Sequence, residues 1–200
     1  MNQYLKEMKD ALTTAYQEAK RHASDVATAR ETYLPDAAAR EISRLDSAHE
    51  QAQRAARDSI LAARDRGIAS AKAWGKLDGS KITDDAKLLK LDLSSEEFED
   101  LVERYKHNAT MLHMLAQYAE THRKGEPGQI GETWYPLSWI PTVESKVAAY
   151  SRMADSAIAT LNAMNGSGWG RGVDSPIVAA SVEQFGQPDP LTEELLYVLD

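Results

Sequence analysis

Apolar positions in the first thirty-odd residues return every seven. Leu5, Leu12, Ala19, Val26 and Tyr33 hold one register, and Met8, Ala15, His22 and Ala29 hold the complementary one. A seam kept for four heptads predicts a long helix that packs along another as in a coiled coil. Pro35 interrupts it. Proline disfavours helix at the residue before it and suits the first helical position, so Leu34 is expected to be extended and a second helix to start at Pro35 with Asp36 in its first turn. That helix should reach about Trp74 and stop near Gly75 or the Asp78-Gly79-Ser80 turn. Its stripe is Ile42, Leu45, His49, Ala52, Ala56 and Ala63. Ile60, Leu61 and Ile68 widen the apolar face in its second half, which implies a contact there besides the first helix. The pattern admits an antiparallel hairpin turning at Tyr33-Leu34-Pro35, which is favoured, or a kinked rod.

Further on, Thr83 before Asp84 and Asp85 predicts a short helix to about Lys90, and Ser94 with Glu97 three residues later has the capping-box pattern. Phe98, Leu101, Val102 and Tyr105 form one helical face. Met111, Leu112, Leu115, Tyr118 and Ala119 form the next, ending about His122, and Val143 to Met164 carry another after Pro141. Sustained period-two alternation is missing throughout, so no strand is expected. The fold class is therefore all-α. It comprises a long coiled-coil-like helical hairpin (residues 1–78), a small helical bundle with an aromatic loop at 125–141 (residues 79–164), and a flexible segment of Gly-rich linker and terminal helix (residues 165–200).

Composition sharpens this division. Residues 1–74 hold a single Gly and a single Pro but 18 of the 30 alanines, whereas 125–141 and 165–190 gather glycine and proline. Alanine suits long helices. It also buries little area, so an isolated alanine-seamed hairpin is marginal and should lean on another copy or on the C-terminal part. The net charge of -8 divides into +1 over residues 1–78 and -9 over residues 79–200. Acidity of that kind repels phosphate, so neither nucleic acid nor an anionic membrane is expected as a direct partner. The chain has no cysteine, which removes disulfides and thiolate chemistry. No apolar run is long enough for a membrane span and no secretory leader is seen, so a cytoplasmic or virion-associated location is expected.

Candidate interaction residues come from two places. The loop GEPGQIGETWYPLSWIP sets Trp134, Tyr135 and Trp139 close together, and such rings either anchor an interface or plug the end of their own bundle. Asp189-Pro190 reads as a helix start leading into Leu191, Leu195, Leu196 and Leu199, which could dock on a partner or fold back. The Gly-rich run at 165–172 follows a helix and lacks lysine, so it reads as a connector and not a phosphate loop. Asp46-x-x-His49 and Glu18-x-x-x-His22 are isolated spacings, and His22 on the seam reads as a register-fixing polar residue. Glu96, Glu97, Glu99, Asp100 and Glu103 read as a solvated face favoured by the helix dipole. No catalytic residues, metal ligands or cofactors are expected.

Residues 84–120, DDAKLLKLDLSSEEFEDLVERYKHNATMLHMLAQYAE, preceded by alanine-rich helices with the break YLPDAAAREI at 33–42, resemble uncharacterised helical proteins of bacteriophage and prophage genomes, often encoded among head-morphogenesis genes. The resemblance implies a structural, assembly or inhibitory role and supplies no catalytic residues. Two functions are expected from this reading. One is a non-enzymatic helical protein that self-associates or docks on another protein during assembly. The other is a phage-encoded inhibitor whose acidic C-terminal part binds a basic host protein.

Overall fold

The computed structural model describes residues 2–122, 135, 140–166 and 170–187. Among these, the chain forms six α-helices: α1 (Gln3–Thr32), α2 (Pro35–Trp74), α3 (Ser95–Arg104), α4 (Ala109–His122), α5 (Val143–Met164) and α6 (Pro176–Gln184). Two short 3₁₀ segments, Gly79–Lys81 and Asp84–Lys90, follow α2. No strand occurs among the described residues.

Asn2 caps α1, its side-chain oxygen accepting from the Tyr4 N–H at 2.9 Å. The break at the other end falls at the proline: Tyr33 is extended, Pro35 opens α2, and Ala38 N–H donates to the Leu34 carbonyl at 2.8 Å. Contacts then run down α2 as they run up α1. Glu7 pairs with Arg66, and His22 meets Asp46 and His49. The two helices therefore form the antiparallel hairpin.

The described residues gather into two units, one from residues 2–67 and 149–187 and the other from residues 68–148. In the first unit the predicted seam of α1 is buried at Leu5, Met8, Leu12, Ala15, Ala19 and Ala29. Along α2 the buried line is Gln53, Ala56, Ile60, Ala63 and Gly67, so the stripe passes through Gln53 and not Ala52. The reason is a third helix. Tyr150, Ala154, Ala157, Leu161 and Met164 of α5 recur at alternating steps of four and three and are buried, and they draw Ile60 fully inside. Gly67 makes the close approach possible, because a Cβ built there would lie 2.7 Å from two ring carbons of the buried Tyr150. The Tyr150 ring also meets Tyr4 edge-on at 5.9 Å.

The described part of the segment expected to be a linker is folded. Gly170 and Gly172 have positive φ, and Gly172 N–H returns to the Ala163 carbonyl at 2.8 Å, closing the end of α5. Ser175-Pro176 then starts α6, which packs on α1 and buries Val178 and Val182, with Phe185 buried just beyond it. The linker reading missed α6 because nine residues are too few to show a helical period.

In the second unit the Ser94–Glu97 capping box forms as expected: Glu97 N–H donates to Ser94 Oγ at 3.2 Å, and Ser94 N–H donates to Glu97 Oε2 at 2.8 Å. Asp84–Lys90 is 3₁₀, and Thr83 gives it no side-chain cap; its hydroxyl donates to the Tyr105 hydroxyl at 2.8 Å instead. The core joins Leu93, Phe98, Leu101 and Val102 to Leu112, Leu115, Tyr118 and Ala119, with Tyr135 and Ile140. Its polar centre is tied down by the Tyr118 hydroxyl, which accepts from Leu93 N–H at 2.8 Å and donates to the Leu91 carbonyl at 3.0 Å. Beside α2, Lys146 of α5 has no exposed surface, and its Nζ lies 4.1 Å above the Trp74 ring centroid with no hydrogen-bond partner. Burial pushes this amine down to about 8.

Two measurements check this packing. Gly67→Ala gains helix propensity but overpacks Tyr150, and a net loss of about 1–2 kcal/mol in denaturant unfolding is expected. Lys146 titrates lower in the folded chain than in the unfolded one, so the unfolded chain binds more protons between about pH 8 and 10.5 and stability should rise with pH across that window. Lys146→Met should abolish that rise and stabilise the fold at pH 7 by about 1–3 kcal/mol.

Candidate functional site

The first unit carries two features with functional potential, both on the hairpin. Its proximal half is packed inside; nearer the turn Ala29 and Ala38 are still buried, but the larger apolar side chains are less covered. Val26, Ile42 and Leu45 are only half-buried, and Tyr33 and Leu34 at the tip are 52% and 81% exposed. The sequence explains the geometry. Beyond Ala19 the seam of α1 offers His22, a β-branched Val26 and Ala29, against Ala38, Ile42 and Leu45 of α2, so few methylenes are available to fill it. The tip therefore presents two large apolar side chains to solvent.

At the root of this arm the seam turns polar. The imidazoles of His22 and His49 stack with centroids 4.4 Å apart and planes 13° from parallel. His22 Nε2 donates to Asp46 Oδ1 at 2.9 Å, and His49 Nε2 donates to Asn165 Oδ1, also at 2.9 Å. Each ring thus has a side-chain hydrogen-bonding partner at Nε2. The Asp46-x-x-His49 spacing thus works across the hairpin, with Asp46 serving His22. Among the described residues no three His, Asp or Glu side chains converge as a metal site would require.

Of the interaction residues expected from sequence, Tyr135 is buried in the second unit and is not an exposed anchor. Its ring lies 4.9 Å from that of Phe98 and 5.3 Å from that of Tyr118, and its hydroxyl donates to the Leu93 carbonyl. Desolvation, together with the Tyr118 hydroxyl beside it, raises its pKa. Tyr135 therefore plugs the bundle because its ring completes an aromatic cluster and its hydroxyl satisfies a backbone carbonyl. Trp134, Trp139, Leu191, Leu195, Leu196 and Leu199 lie outside the described residues.

Other titratable groups of the second unit serve structure. The Tyr105 hydroxyl and the Arg104 guanidinium hold the Asp85 carboxyl below its usual range, as the Ser94 backbone N–H and hydroxyl do for Glu97. Lys146, lacking exposed surface, is closed to a substrate. The carboxylates Glu96, Glu97, Glu99, Asp100 and Glu103 are exposed on α3. No described helix is long and apolar enough to cross a membrane.

Sequence reasoning missed Gln53 and Asn165. The stripe read through Ala52 concealed the first, and a separation of 116 residues from His49 concealed the second. Pivoting the two helices about Pro35 would have brought His22 opposite His49, so that pair was available in principle. Comparison of the chain with protein families, with curated proteins and with solved structures finds no match.

Proposed function

We propose that this chain is a non-enzymatic helical protein that acts by self-association through the distal arm of its hairpin, in the structural or assembly role that its resemblance to phage-encoded helical proteins implies. The observation that supports the reading is the exposure of Tyr33 and Leu34 at the tip, with Val26, Ile42 and Leu45 half-buried along the arm. A pair of helices sharing a thin, alanine-rich seam gains most when further helices cover it, and two such arms side by side form a four-helix contact. A second copy offers the same half-buried residues, so one patch can be complementary to itself about a two-fold axis.

A second reading draws on charge. Residues 79–200 carry -9, and the carboxylates of α3 point to solvent, as suits a protein that occupies a basic groove of another. It predicts salt-sensitive binding that reversal of Glu96 and Glu99 to lysine would abolish.

Light scattering across a concentration series tests the first reading. The wild-type chain should be a dimer or larger at tens of micromolar. Tyr33→Ser combined with Leu34→Asp should weaken association by about tenfold or more with helical circular dichroism unchanged. A monomer at every concentration defeats the proposal.

A further inference from the structure

The stacked histidines line a cleft of about 770 Å³ in the first unit, formed by α1, α2 and Met164, Asn165 and Val173. This volume lies within the usual range of small-molecule sites. Its floor is apolar, with Ala19, Ala23, Val26, Met164 and Val173. Its polar equipment is unusual for a helical seam. Gln53, one turn beyond His49, is 7% exposed, and both its amide oxygen and its amide nitrogen are buried without a hydrogen-bond partner. His49 Nδ1 is buried and unpartnered as well. An unmet buried polar group costs roughly 1–3 kcal/mol, and an apolar residue at position 53 would avoid that cost. The exposed Arg30 and Arg54 also line the cleft, and Arg54 is paired with Glu50 at 3.1 Å.

We infer that this cleft is a binding site for a small planar heterocycle with adjacent donor and acceptor groups on its edge, the chemical class of the nucleobases, carrying an anionic substituent. The Gln53 amide is a donor and acceptor pair of the kind that reads such an edge, and the unpartnered His49 Nδ1 is a further polar contact; both are buried in the free chain, so the ligand must draw them toward the cleft. Asp46 and Asn165 engage Nε2 of the two imidazoles and so fix the orientation of both rings. The alanines allow a flat ring to lie close to the helix backbones, and Arg30 supplies positive charge for a phosphate. This inference does not rest on the self-association proposed above.

The test is NMR titration of the full chain, labelled at imidazole and side-chain amide nitrogens, with adenosine, guanosine, cytidine and uridine and their 5′-monophosphates up to about 10 mM. At least one probe should produce saturable shifts of the His49 ring and the Gln53 amide. Gln53→Leu should weaken that probe by at least about tenfold while raising the melting temperature, since the variant loses a hydrogen-bonding edge but relieves an unmet amide. Arg30→Gln should weaken the monophosphate and leave the nucleoside unaffected. No saturable shift with any probe overturns the inference, whatever Gln53→Leu does to stability. So does binding that survives Gln53→Leu, or a loss of stability in that variant, which would mark Gln53 as a structural residue.

Discussion

The first unit depends on one constraint: an antiparallel pair of helices whose shared seam is largely alanine and glycine cannot bury enough surface to hold itself together. Small side chains bring two backbones close but contribute few methylenes to the hydrophobic effect. The third helix supplies the missing area. Tyr150 enters where Gly67 leaves space, and Ile60, Leu161 and Met164 are buried in the same unit. The small residues of α2 thus have a double function. They narrow the gap to α1, and at Gly67 they admit the largest fully buried ring among the described residues. Where the packing thins, toward Tyr33 and Leu34, the same alanine-rich seam leaves apolar surface in water.

Polarity is placed with equal economy. In the second unit the buried hydroxyls of Tyr118 and Tyr135 answer the backbone between Leu91 and Leu93, so an irregular segment enters a core without leaving its amides unmet. Lys146 shows the other solution, a cation laid on an aromatic face and made easier to deprotonate by its burial. The first unit contains a third case, because Gln53 and His49 keep unmet polar atoms on the wall of an open cleft. Groups of the first two kinds are explained by folding alone. The third kind lowers stability in the isolated chain, which is the physical argument for a ligand there.

The legible parts of this protein were those governed by local chemistry. Proline sterics place the hairpin turn, the heptad of Leu5, Met8, Leu12, Ala15 and Ala19 identifies the buried face of α1, and the Ser94–Glu97 pair marks the start of α3. Each depends on residues within a few positions of one another, so the sequence alone determines them. The all-helical class follows from the same signals.

Other features were decided only when distant segments met. The close approach of Tyr150 to Gly67 joins α2 to a helix more than eighty residues away in the chain. The His49–Asn165 hydrogen bond, the burial of Tyr135 against Phe98 and the docking of α6 on α1 all join segments with no local signal for one another. Periodicity states that a helix has an apolar face; it does not state which helix will cover it or how far that cover extends. The extent of cover separates the packed proximal hairpin from its exposed tip, and it turns an ordinary heptad seam into a cleft lined by two histidines and a glutamine.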